Sequence, residues 1–256
     1  VYDIPEGGRA AKGRAIVNLI GCEPDEKVSA FISVKEFNDD HYVVMATEKG
    51  MVKKTKLSAY SNPRKKGIYA VEIRDGDKLI EARVSTGDND ILLGTRNGKS
   101  IRFSEEQIRA SGRKTMGVKG ITLSSEDDRL VGMLLIKREG TVLVATEKGF
   151  GKRTEISQYR AQKRGGKGVL TMKTTDKVGK MVTIKEVVDK DDLMIITNQG
   201  VLIRLPVAQI RSIGRATQGV KLIKLGEGTL VSSITRIMSE EEEDENNNTE
   251  STEPKE

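Results

Sequence analysis

A basic, glycine-punctuated cluster recurs five times along this 256-residue chain at a nearly constant interval. The copies are Ala10-Ala11-Lys12-Gly13-Arg14, Asn62-Pro63-Arg64-Lys65-Lys66-Gly67, Gly112-Arg113-Lys114-Thr115-Met116-Gly117, Gln162-Lys163-Arg164-Gly165-Gly166-Lys167-Gly168 and Gly214-Arg215-Ala216-Thr217-Gln218-Gly219. Their aligned glycines, Gly13, Gly67, Gly117, Gly168 and Gly219, stand 54, 50, 51 and 51 residues apart. A period near fifty signals a repeat architecture, in which units bury their apolar faces against one another. Positive charge carried once per unit creates a periodic electropositive surface. A polyanion is the first partner to consider.

Each unit holds four short apolar segments separated by turn chemistry. In the cleanest unit these are Leu130–Ile136, Thr141–Thr146, Phe150–Ile156 and Val169–Lys173. Short runs rich in β-branched residues and bounded by Gly, Asp and Asn are strand signals. A hairpin turn recurs as Thr47-Glu48-Lys49-Gly50, Thr95-Arg96-Asn97-Gly98, Thr146-Glu147-Lys148-Gly149 and Thr197-Asn198-Gln199-Gly200. Its glycine supplies the positive φ of a tight or bulged hairpin. Four hairpin signals against five cluster glycines imply four complete four-stranded blades after part of an earlier one. The expectation is an all-β, β-propeller-like domain over residues 1–238. A solenoid is the alternative, but four antiparallel strands per unit fit a blade better than a coil. A WD40-type scaffold is disfavoured, because the chain has a single His and no Trp.

With 36% hydrophobic and 4% aromatic residues, the core must be mainly Val, Ile, Leu and Met. No apolar run approaches the ~18 residues that span a membrane, so no membrane partner is expected. The chain starts at Val1 with neither an initiator Met nor a signal peptide, which suggests a piece of a longer cytoplasmic protein. A single cysteine, Cys22, excludes an internal disulfide framework and a cysteine-rich zinc site. The net charge of +6 conceals an asymmetry. Residues 239–256 carry nine acidic side chains and one lysine, which leaves the preceding body with 43 basic and 29 acidic residues. That terminal segment is expected to be disordered, and reads either as a solubilising terminus or as an internal competitor for the basic surface's polyanion site.

The segment Tyr159–Gly168 packs four cations and three glycines into ten residues. Glycines let backbone N–H groups approach phosphate oxygens, while Lys and Arg neutralise them. It lacks the Walker spacing of a nucleotide cradle, and no aromatic ladder offers base stacking. The set suits contact with a double-stranded backbone, without reading of sequence.

The run Gln162–Gly168 resembles the gyrase A box, the basic, glycine-rich motif of the DNA gyrase A subunit. The flanking Gly13–Leu19, Met45–Thr55, Gly151–Thr154 and Gly214–Val220 are also similar to that subunit's C-terminal domain. The resemblance implies a six-bladed β-pinwheel of four-stranded blades that wraps DNA, so that the ATP-dependent holoenzyme introduces negative supercoils. It further implies partners in the N-terminal part of gyrase A and in the gyrase B subunit. It implies no cofactor or metal for this chain, ATP and Mg2+ acting elsewhere in the holoenzyme. The box here falls in a late blade, whereas the family's principal box lies on the first. The family's catalytic tyrosine belongs to the N-terminal part, so none of Tyr2, Tyr42, Tyr60, Tyr69 or Tyr159 is assigned as a nucleophile and no catalytic residue is expected. The topoisomerase IV A subunit has a related domain, usually with a degraded box.

The candidate DNA-binding residues are therefore Gln162, Lys163, Arg164, Gly165, Gly166, Lys167 and Gly168, with Lys12, Arg14, Arg64, Lys65, Lys66, Arg113, Lys114, Lys119, Arg215 and Lys221 from the other copies. Arg9 and Arg211 belong with the cations of those copies, whereas Lys53, Lys54, Lys152, Arg153 and Arg204 sit just past the hairpin glycines and are candidates to extend the rim. Tyr60 and Tyr159 are expected to pack between blades. The alternative from another class is a propeller scaffold whose basic rim binds an acidic protein.

Overall fold

A computed structural model describes residues 17–20, 26–64, 67–137 and 139–237. Arg9, Lys12, Arg14, Cys22, Lys65, Lys66 and the acidic terminal segment lie outside the described residues. In chain order the strands are β1 (Tyr42–Thr47), β2 (Met51–Lys56), β3 (Leu79–Ser85), β4 (Asp90–Thr95), β5 (Lys99–Ser104), β6 (Val118–Lys119) and β7 (Leu130–Ile136). They continue as β8 (Thr141–Thr146), β9 (Phe150–Glu155), β10 (Val169–Leu170), β11 (Met181–Val187), β12 (Asp192–Thr197), β13 (Leu202–Pro206), β14 (Val220–Lys221) and β15 (Val231–Ile237).

These strands form four antiparallel sheets ordered β3-β1-β2-β6, β10-β5-β4-β7, β11-β8-β9-β14 and β13-β12-β15. The all-β, propeller-like expectation holds, and the four Thr-x-x-Gly turns join β1 to β2, β4 to β5, β8 to β9 and β12 to β13. The threonine closes three of these turns through its hydroxyl as well as its carbonyl. Thr47 Oγ1 accepts from the Met51 N–H at 3.2 Å, Thr95 Oγ1 from the Lys99 N–H at 3.3 Å, and Thr197 Oγ1 from the Val201 N–H at 3.1 Å.

The pairing departs from the expected blade. The repeat pattern predicts Leu130–Ile136 and Val169–Lys173 as partners of β8 and β9, but β7 and β10 border the preceding sheet instead. Glu139-Gly140 carries the turn chemistry of a hairpin, yet the chain uses it to cross from one sheet to the next. There Gly140 passes so close to β11 that a Cβ would stand 2.8 Å from the Val187 carbonyl oxygen. Each of the first three sheets therefore takes its outermost strand from the repeat that follows.

The sheets stack face to face, and the apolar core lies between them. Val44, Ala46 and Val52 of the first sheet meet Ile91, Leu93, Ile101 and Phe103 of the second. Leu92 and Leu134 meet Val142, Val144 and Ile184 of the third, and Leu143 and Ala145 meet Leu193, Ile195 and Ile234 of the fourth. Side chains alternate across a strand, so Ile91 and Leu93 point one way and Leu92 the other. Burial on both faces explains why β1, β4 and β8 are each buried at five consecutive positions instead of alternating. Each such aliphatic side chain contributes about 1.5–3 kcal/mol on leaving water. In the fourth sheet β12 alternates between buried and half-buried positions, and Leu202 of β13 is exposed.

The inner strands β3, β7, β11 and β15 lie side by side in that order and line a cavity of about 770 Å³. The opposite edge of each sheet is the outer one. It is there that the basic clusters emerge.

Candidate nucleic-acid interface

The outermost strands β6, β10 and β14 begin immediately after the cluster glycines Gly117, Gly168 and Gly219. Those glycines are left-handed, with φ of +79°, +69° and +75°. A Cβ at any of them would strike the carbonyl of the middle strand, at 2.2 Å from Val52 O, 2.3 Å from Ser100 O or 2.6 Å from Gly151 O. Glycine thus lets the chain turn and dock on the sheet in one step. The fixed spacing in sequence becomes a fixed position in space: three basic loops occupy the same outer edge of three successive sheets.

Neighbouring loops are tied together by a repeated pair of hydrogen bonds. Arg113 Nη1 donates to Tyr69 O at 3.3 Å, Arg164 Nη1 to Lys119 O at 3.2 Å, and Arg215 Nη1 to Leu170 O at 2.8 Å. Each acceptor lies two residues after the previous cluster glycine. In parallel, the N–H groups of Glu72, Thr122 and Lys173 donate to the carbonyls of Thr115, Gly166 and Thr217 at 3.1, 2.9 and 3.0 Å. The loops form a chain of cross-blade links, which fixes the spacing of their charges.

Arg164 is the most heavily engaged of the three arginines. Besides Lys119 it reaches Gln107 O from Nε at 2.9 Å, and its backbone N–H donates to Gln107 Oε1 at 2.9 Å. Gln162 is held by the Arg102 carbonyl at 2.8 Å from its N–H, and its own carbonyl accepts from Gln107 Nε2 at 3.3 Å. Gly165 and Gly166 are half-buried and carry the links to Gly120 and Thr122. The lysines face outward: Lys114, Lys119, Lys163, Lys167 and Lys221 are exposed, as are Arg64, Arg109, Arg160 and Arg211. Lys114 Nζ stands 5.5 Å from the Tyr69 ring centroid and Lys221 Nζ 5.6 Å from that of Phe150, so both ammonium groups sit over aromatic faces.

Four of the five candidates placed just past the hairpin glycines do not extend the rim. Lys53, Lys54, Lys152 and Arg153 are buried, between 0% and 8% exposed. Lys54 pairs with the buried carboxylate of Glu105 at 3.0 Å and sits 4.3 Å from the Tyr42 ring centroid. Arg153 donates from Nε to Ile210 O at 2.8 Å and pairs with Asp189. Arg204 is exposed but bonds Asp192 at 2.6 Å. Lys53 and Lys152 point beneath the loops, where burial, helped by Arg113 and Arg215 respectively, lowers each pKa to about 8. An alignment of the hairpins carries the missed signal, since Lys53 and Lys152 share a column with Ile101 and Ile203.

Tyr159 lies among Leu92, Val142 and Val144 between the second and third sheets, as expected, and burial pushes its hydroxyl up to about 12. Tyr60 packs on Val43, Met45 and Leu57 and donates to Ala70 O at 3.1 Å. No helix among the described residues is long and apolar enough to cross a membrane.

A family model described as the DNA gyrase C-terminal domain, beta-propeller, matches residues 1–35, 41–86, 89–137, 140–187 and 191–237. Its four complete segments coincide with the hairpin and inner strand of each sheet. The chain is 45% identical over 243 residues to the DNA gyrase A subunit of Staphylococcus epidermidis (strain ATCC 12228 / FDA PCI 1200), covering 94% of this chain. It is 44% identical over 239 residues to that of Staphylococcus aureus (strain NCTC 8325 / PS 47), covering 92% of this chain. It spans about 27% of the length of these relatives. Among solved structures, a DNA gyrase A C-terminal domain superposes with a TM-score of 0.80 at 23% identity, covering 89% of this chain and 76% of that one. The C-terminal domain of DNA topoisomerase IV superposes at 0.85 and 25% identity, covering 94% and 76%. Sequence, repeat phase and architecture agree: this chain belongs to the DNA gyrase A C-terminal domain family.

Proposed function

We propose that this chain binds double-stranded DNA without sequence preference and bends it around the outer edge of the stacked sheets. In a holoenzyme with the N-terminal part of gyrase A and the gyrase B subunit, the wrap would let ATP-dependent strand passage introduce negative supercoils. The observation that carries this reading is the linked series of loops at Gly112–Gly117, Lys163–Gly168 and Gly214–Gly219, with lysines projecting from one edge. Phosphates recur along a duplex, and cations held at regular steps along a curved edge match a bent backbone better than a straight one.

Bending ~35 bp through about half a turn costs on the order of 10 kcal/mol, so several blades must contribute contacts together. If each of the three described loops neutralises about two phosphates, log K falls against log[salt] with a slope of about −5. Contributions from the clusters at residues 10–14 and 62–67 would steepen it. The chain itself carries out no chemistry in this reading and needs no cofactor. It would act in the bacterial cytoplasm at the nucleoid, with ATP and Mg2+ used elsewhere in the assembly. The acidic segment from Ser239 would compete with DNA for the loops. Identity of 44–45% to gyrase A subunits favours gyrase over topoisomerase IV.

The deciding experiment adds the chain to relaxed circular DNA with a nicking-closing topoisomerase and then removes the protein. A wrapper leaves superhelical turns of one hand. A scaffold for an acidic protein leaves the circle relaxed, and that result would overturn the proposal.

A further inference from the structure

The basic loops are of two kinds. Gly112–Gly117 and Gly214–Gly219 share the pattern Gly-Arg-x-Thr-x-Gly, whereas the box loop reads Lys163-Arg164-Gly165-Gly166-Lys167-Gly168. Their backbones differ at one point. Gly165 is left-handed at φ +80°, while the equivalent Lys114 and Ala216 are not, since no described residue other than glycine has positive φ. In the first kind a threonine closes the turn, with Thr115 Oγ1 donating to Gly112 O and Thr217 Oγ1 to Gly214 O, both at 3.0 Å. Gly166 replaces that threonine in the box.

The residue beneath each loop differs in step. It is the third residue after the hairpin glycine: Lys53 under Gly112–Gly117, Lys152 under Gly214–Gly219 and Ile101 under the box. Lys152 Nζ donates to Gly214 O at 2.7 Å, to Arg215 O, and to Thr217 Oγ1 at 3.0 Å. Lys53 Nζ donates to Arg113 O and, at 2.6 Å, to Ala70 O. Both lysines are no more than 1% exposed. Ile101 is fully buried, and a Cβ on Gly166 would stand 3.5 Å from its Cδ1, so the box loop rests on it through apolar contact. A loop whose carbonyls turn inward needs a buried donor to satisfy them. A loop turned differently at Gly165 needs none there, and an ammonium beneath it would be stranded.

We infer that Lys53 and Lys152 are positioning residues for the DNA-facing loops, and that the residue at this strand position is matched to the loop type above it. Each lysine pulls the loop carbonyls inward, which turns Arg113–Lys114 or Arg215 toward the outer edge. This rests on the DNA-binding reading of the loops. It adds an element below the surface that touches no phosphate.

The test is a double-mutant cycle in the 256-residue chain, read as duplex affinity against salt. One arm is Lys152→Ile. The second converts the loop above it to the box type by Gly214→Lys, Ala216→Gly, Thr217→Gly and Gln218→Lys, and the third combines both. Lys152→Ile alone is expected to weaken binding about tenfold at 0.1 M salt and to flatten the slope by about one. The converted loop over Lys152 should fall short of its two added charges. The combination should bind at least about tenfold more tightly than the two single effects predict. Ile101→Lys offers the mirror test in the box blade, should Lys152→Ile fail to fold. Additive effects in the cycle, or no loss with a buried lysine under the box, would overturn the inference. A parent chain that does not bind duplex DNA would sink the DNA reading instead, while coupling would persist in the unfolding midpoints.

Discussion

Arg164 donates from Nη1 to the carbonyl oxygen of Lys119 at 3.2 Å, so the box loop of one blade is anchored to the outermost strand of the blade before. The same relationship joins Arg215 to Leu170 of β10, and Arg113 makes the equivalent bond to Tyr69, which lies outside the strands. An arginine that looks in sequence like a phosphate ligand spends part of its guanidinium on the scaffold.

Arginine and lysine in the box should therefore separate experimentally. Arg164→Ala removes charged hydrogen bonds to Gln107 and Lys119 and should cost about 1–2 kcal/mol of stability in denaturant unfolding. Replacing both exposed lysines, Lys163 and Lys167, by alanine should change stability by no more than about 0.5 kcal/mol. That pair should instead reduce the magnitude of the salt slope by about two. Equal effects of the two variants on both readouts would contradict this division.

Gly168→Ala should detach the outermost strand of the second sheet. The new Cβ would meet Ser100 O at 2.3 Å in a left-handed backbone at φ +69°. A cost of at least about 2 kcal/mol is expected. Hydrogen exchange should quicken at Thr171 and Met172, whose N–H groups donate to Gly98 O at 2.8 and 3.1 Å. Unaltered protection there would show that the strand docks without the glycine.

Lys54 and Glu105 form a buried pair away from the outer edge, with Ser85 Oγ donating to the same carboxylate. Glu105→Ala leaves Lys54 without its countercharge and should destabilise the fold by about 3 kcal/mol. The salt dependence of DNA binding, measured well below the unfolding temperature, should not move. A flattened salt slope would mean that this lysine belongs to the contact surface after all.

Alkaline pH should affect the loops through their buried lysines. Burial, reinforced by Arg113 and Arg215, holds Lys53 and Lys152 near about 8, against ~10.4 in an unfolded chain. The folded state releases these protons first, so their contribution to stability rises with pH between about 8 and 10. In Lys152→Met that rise should be smaller by up to about one proton's worth of slope, measured by denaturant unfolding across the window. Identical slopes would place the Lys152 titration at its ordinary value.

Much of this architecture is written in local residue chemistry. The Thr-x-x-Gly turns and the β-branched runs beside them identify the hairpins, because both signals act within a few residues. Strand exchange between sheets is another matter: Val118-Lys119 and Val169-Leu170 are too short to carry a pattern, and their partners lie in the preceding repeat. The rim lysines Lys114, Lys163 and Lys167 follow from composition and phase, since exposed charge is the ordinary state of lysine. Lys53 and Lys152 run against that expectation. Their burial depends on carbonyls some sixty residues away, which only the folded loop brings together. The column they share with Ile101 and Ile203 is the available clue, because a position that accepts isoleucine is an interior one.

Passing each outermost strand backward to the preceding sheet has a consequence for how such arrays change in length. Excising one repeat would leave its predecessor to accept the strand of whatever unit now follows, and the seam would close if the glycine spacing were kept. Tandem duplication would be tolerated for the same reason. Blade number can then drift during evolution by whole units, with only the terminal units of the array needing separate adjustment.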